Sequence, residues 1–109
     1  MSTTDLDTVS ELATAAQAVF KREFREINIQ AGLITSLRAQ GIAADAVVLD
    51  CQDTGRRLVF MVRDAEPGKV AYQLANRNED QEADPTILAI TDLRVADIVT
   101  LMKQHFANA

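Results

Sequence analysis

Ile27-Asn28-Ile29-Gln30-Ala31-Gly32 is the stretch whose reading decides the fold of this chain. Its two isoleucines, asparagine and glycine lower local helix propensity by about 2–3 kcal/mol against alanine. Apolar residues nevertheless keep one phase across it. Leu6, Val9, Ala13, Ala16, Phe20, Phe24, Ile27, Ala31, Ile34 and Leu37 recur three or four apart, the spacing of one buried helix face. The pattern predicts a long N-terminal helix over residues 5–41, with residues 28–32 as its weak point. Such a helix would run roughly 50 Å, whereas a domain of this size is about 35 Å across. Either the helix breaks in this stretch, or its apolar stripe runs past its own domain and needs a partner.

The ends of that segment carry ordinary helix signals. Thr4 or Asp5 can cap the start, where acids also suit the positive end of the dipole. Gly41 is the stop, with Ile42 placed for the apolar contact of a Schellman ending.

Beyond Gly41 the apolar period changes from 3.6 to 2. Residues 46–51 (AVVLDC), 57–64 (RLVFMVRD), 70–76 (VAYQLAN) and 86–90 (TILAI) read as four strands. Gln52-Asp53-Thr54-Gly55 and Glu66-Pro67-Gly68-Lys69 are turn signals, and residues 77–85 are a polar loop. Short connections make the strands an antiparallel meander. A second helix closes the chain, with Thr91 or Asp92 as cap and Leu93, Ala96, Val99, Met102 and Phe106 on one face. The expected fold class is α+β in the order α-β-β-β-β-α, as a single domain over residues 1–109.

The second predicted strand is apolar on both sides. Leu58, Phe60 and Val62 point one way, and Val59 and Met61 the other, together with Ala71, Ala75 and Val48. A sheet with one wet face would be polar there. Either the two helices cover opposite faces, or one face meets a second subunit. Scattered apolar exposure is also normal, so the pattern alone does not choose.

Composition excludes several classes of function. At 48% hydrophobic and 25% charged, the 109 residues describe an ordinary globular domain. A net charge of −5 opposes nucleic-acid binding, which draws its affinity from Lys and Arg. No apolar run approaches a membrane span, and the N-terminus has acids where a leader would be basic, so neither membrane nor export is expected and the location reads as cytoplasmic. One cysteine, Cys51, excludes an internal disulfide framework.

Chemistry is hard to find. His105 near a helix C-terminus suits the dipole, and Cys51 shares a side with Val47 and Leu49, as a buried inert thiol would. Glu79, Asp80, Glu82 and Asp84 concentrate carboxylates without the spacing of a calcium loop, and such runs are usually solvated. No phosphate-cradling glycine motif is present. Phe20, Phe24, Phe60 and Tyr72 could line a small-molecule cavity, but their spacing is that of core. The expectation is therefore no catalysis, no metal and no cofactor.

The sequence reads best as a small acidic protein-interaction module, adaptor or chaperone-like and homodimeric. Its contacts to another protein would fall among Phe20, Phe24, Ile27, Val59, Met61 and the acidic residues Glu79, Asp80, Glu82 and Asp84. In size and acidity the chain resembles the small acidic secretion chaperones, from which it departs in lacking a helix between its strands. The alternative reading is an inhibitor or immunity-type protein that blocks a basic site with its acidic loop.

Overall fold

In the computed structural model, which describes residues 4–76 and 85–107, helix α1 (Asp5–Glu23) begins where the caps are. Thr4 Oγ1 accepts a hydrogen bond from the Asp7 N–H at 3.1 Å. The helix ends far short of Gly41. Phe24 leaves helical geometry at φ −122°, ψ 69°, and Ile29–Ile34 forms strand β1. The weak stretch is therefore not a blemish in a long helix but a strand. Ile27, Ile29, Ala31 and Leu33 also alternate with period two, and β-branched residues suit that geometry. At 19 residues, α1 is about 28 Å long and fits within a longest dimension of 37 Å.

The stop at Gly41 is real, but it ends one turn instead of a long helix. Arg38–Gln40 is a short 3-10 turn, Gly41 takes φ 85°, and the Ile42 N–H returns to the Leu37 carbonyl at 2.9 Å. That six-to-one bond is the Schellman closure.

Strands β2 (Ala44–Cys51), β3 (Arg56–Arg63), β4 (Lys69–Asn76) and β5 (Thr86–Ala89) follow. With β1 they form a five-stranded antiparallel sheet in the order β1-β2-β3-β4-β5. The fold is α+β as expected, with one strand more. A 3-10 turn at Ile90–Asp92 leads to helix α2 (Val95–Met102), whose start is held by Asp97 Oδ2 accepting from the Arg94 N–H at 3.0 Å. The cap thus lies beyond Thr91 and Asp92, because those residues are spent in the preceding turn.

Both helices pack on one face of the sheet. Val9, Ala13, Ala16 and Phe20 of α1 and Ile98, Val99 and Met102 of α2 share a single core with Val47, Leu49, Cys51, Leu58, Phe60, Val62 and Val70. Phe20 stacks on Phe24 with centroids 4.7 Å apart and meets Phe106 edge-on at 6.3 Å. Fully burying a large apolar side chain contributes about 1.5–3 kcal/mol, so this layer supplies most of the fold's hydrophobic stabilisation.

Candidate interaction surface

The same alternation that sends Leu58, Phe60 and Val62 into the core sends Arg57, Val59, Met61 and Arg63 to the opposite face. Register places them in cross-strand rows. One row runs Gly32–Val48–Val59–Gln73, and the next runs Ile34–Ala46–Met61–Ala71–Ile87. Among the described residues no element packs over these rows. Ala46, Val48 and Ala71, at 2%, 6% and 6% exposure, are nevertheless buried, so the open surface of these rows lies at their longer residues. Val59 and Met61 are half-buried, and Ile87 is 48% exposed.

The apolar strip has polar ends. Arg57 Nη2 contacts Asp50 Oδ2 at 3.3 Å, and Arg63 Nη1 lies 3.5 Å from Glu66 Oε1. Arg57, Val59, Met61 and Arg63 thus form a charged–apolar–apolar–charged line along the middle strand. Beside it, a shallow hollow of about 260 Å³ opens over Gly32, with Gln30, Ile34, Val48 and Arg57 in its walls. A Cβ added at Gly32 would meet nothing within 4 Å.

The sequence-derived contact residues fall into three groups. Val59 and Met61 lie on the open face. Phe20 is fully buried in the chain's own core, with Phe24 and Ile27 half-buried against it. Glu79, Asp80, Glu82 and Asp84 lie outside the described residues. Pairing the strands shows that Ile34, Gly32 and Ile87 share the face of Val59 and Met61. The helix reading hid Ile34 and Gly32, whereas Ile87 was within reach of simple alternation.

The reactive side chains singled out in the sequence make contacts within the fold. Cys51 is fully buried in the core. His105 Nε2 lies 2.9 Å from the Ala75 carbonyl, so that nitrogen carries the proton, and Arg56 Nη1 donates to the His105 carbonyl at 2.9 Å. These contacts tie the turn after α2 to the sheet. Phe60 and Tyr72, with centroids 6.4 Å apart, are packed as core. Among the described residues no group of three or more His, Cys, Asp or Glu side chains could hold a metal ion. No helix there is long and apolar enough to cross a membrane.

One charged cluster stands out for geometry. Arg38 bridges Asp45 at 2.9 Å and Asp64 at 2.8 Å, joining the turn after β1 to β2 and to the end of β3. The hydrogen bonds from Arg38 hold the Asp64 carboxyl below the usual carboxylate range, and Asp64 and Asp45 push Arg38 up. All five guanidinium donors are suited to such a fork, and the cluster closes the loop that follows β1.

The chain matches no protein-family model, no curated protein and no solved structure.

Proposed function

We propose that this chain is a small acidic cytoplasmic protein-interaction module, homodimeric and without catalysis, that holds another protein against the open face of its sheet. The observation that carries this reading is the placement of both helices on one face, which leaves the apolar line Val59–Met61 uncovered among the described residues. Met and Arg are enriched at protein interfaces, and contiguous apolar surface of this kind commonly marks one.

The chemistry of the face favours a partner of matching character. Its centre is apolar and its ends carry Arg57 and Arg63. The complementary surface is an apolar patch flanked by carboxylates, and association should weaken as salt screens those contacts. With strands about 4.8 Å apart and about 3.3 Å of rise per residue, the face covers roughly 500 Å². That is below the ~800 Å² per partner of a standard stable interface.

The test is native co-purification with wild-type, Met61→Asp and Arg57→Glu chains in parallel, at low and high salt. The expected result is a bound protein lost with Met61→Asp and reduced with Arg57→Glu and with salt, while both variants melt like wild type. Retention of the partner by both variants, or no partner with any chain, overturns the reading.

A further inference from the structure

Strand β1 is an edge of the sheet, and among the described residues no strand pairs with its outer side. Its residues, Ile-Gln-Ala-Gly-Leu-Ile, include no charge and no proline, and the four central ones are exposed. Edge strands are normally kept short or protected by charge and proline, because their unpaired backbone groups invite another strand. The opposite edge obeys that rule: β5 has four residues and follows Pro85.

Register determines which backbone groups are on offer. Ile29 lies opposite Cys51, and the Gln52 N–H donates to the Asn28 carbonyl at 2.9 Å. Residues 28, 30, 32 and 34 therefore bond toward β2, and Ile29, Ala31 and Leu33 turn their N–H and C=O groups outward. One outward acceptor is already used, since Gln17 Nε2 donates to the Ile29 carbonyl at 2.9 Å. Among the described residues, Ala31 and Leu33 keep both outward backbone groups available.

We infer that a second copy of this chain occupies this edge, with β1 pairing antiparallel to its own symmetry mate about a two-fold axis at Gly32. In that register Ala31 exchanges both backbone bonds with Leu33 of the other copy, and Leu33 with Ala31, making four bonds. The bond from Gln17 stays intact. Shifting the axis to Ala31 would require the Ile29 carbonyl that Gln17 holds. Shifting it to Leu33 would pair Ala31 with Thr35, past the end of the strand. The side chains agree with the choice. Leu33, 56% exposed, would lie opposite the small Ala31 of its mate. Gly32 would face Gly32 in a non-hydrogen-bonded pair, where Cα atoms approach to about 4.5 Å. A Cβ added at Gly32 on the open face would meet none of the described residues within 4 Å, so none of them requires a glycine there, and a strand glycine commonly marks close approach by another backbone.

This deepens the reading of a dimeric interaction module and rests on it. Edge pairing joins two five-stranded sheets into one of ten strands, with all four helices on one side. The two open faces then lie side by side as roughly 1,000 Å² of continuous surface, which reaches the size of a standard interface. The hollows over Gly32 meet across the axis.

Solution mass, by light scattering at tens of micromolar, is the test. Wild type should show twice the chain mass. Leu33→Lys, which adds an edge charge, and Leu33→Pro, which removes an outward donor without touching the β2 ladder, should each halve it while keeping the native circular dichroism. If Leu33→Pro fails to fold, Leu33→Lys carries the test. Amide exchange on wild type gives a reading free of substitution: the Ala31 and Leu33 amides should be slow in concentrated protein and speed up on dilution. Met61→Asp separates the two ideas, because it should abolish partner binding and leave the doubled mass unchanged. A monomeric wild type overturns the inference. So does a dimer that survives both Leu33 variants but falls apart with Met61→Asp, which would mean that the open faces themselves meet.

Discussion

Strand β3 has two faces of similar apolarity and opposite fates. Leu58 and Phe60 on one side are fully buried under α1 and α2, and Val62 is 9% exposed. Val59 and Met61, between them in sequence, remain half-buried with no layer above them among the described residues. The difference does not lie in the side chains. It lies in where the helices went. The apolar alternation on both sides of β3 would suit a layer on each face, while the described residues supply a layer on only one of them.

The contrast can be broken from either side. Phe60→Ala should produce the largest effect, a loss of about 3–5 kcal/mol in denaturant unfolding, since a fully buried aromatic leaves a cavity. Met61→Ala, one residue away, should cost less than about 1 kcal/mol in a dilute sample, since Met61 is only half-buried and no described element packs over it. Equal losses at the two sites would mean that the faces are energetically alike and that the open one is packed in the isolated chain.

Gly32→Ala sharpens the point at the edge. With room for the added Cβ and no positive φ at this position, the substitution should raise dilute-sample stability by about 0.5–1 kcal/mol. A destabilised variant would show that Gly32 is needed by the fold itself.

The smallest effect concerns the clasp that holds the turn after β1. Because Arg38 lowers the folded-state pKa of Asp64, this contribution is fully present above the unfolded carboxylate range near pH 3.9 and is lost as pH falls through the lower folded value. Asp64→Asn should flatten the acid limb of stability against pH slightly and leave neutral-pH folding cooperative. Both groups are well exposed, with side-chain exposures of 46% and 54%, so added salt should shrink the difference further. A steeper acid limb in the variant would contradict the assignment.

Much of the fold was legible in the residues. Turn chemistry at Gly55 and Pro67-Gly68 marked the hairpins, because those positions need conformations that few residues adopt, and Gly55 and Gly68 do take φ 77° and 78°. The period-two runs gave β2 to β5 within one or two residues. The stretch at Ile27–Gly32 is ambiguous in sequence for a physical reason. Apolar residues at 27, 29, 31, 33 and 34 satisfy a period of two and a period of 3.6 together, so hydrophobic spacing alone does not separate strand from helix there. The low helix propensity of Asn28 and Gly32 was the better guide, and the mismatch between a 50 Å helix and a 35 Å domain was the warning.

The candidate surface was half legible for a related reason. Val59 and Met61 were visible as the wrong-side residues of an apolar strand, but Ile34 and Gly32 join them only once β1 exists and pairs with β2.

By itself, the sequence determined the elements after Gly41, their antiparallel order, the start of the first helix at Thr4 or Asp5 and the apolarity of both sides of β3. These are local properties, set by backbone preference and by the period of side chains along one segment. Only the tertiary structure decided that α1 stops at Glu23, that its continuation becomes the edge strand β1, and that α1 and α2 share one face. Those outcomes depend on which buried surfaces meet, and helix periodicity says that a face must be covered without saying which sheet face will cover it.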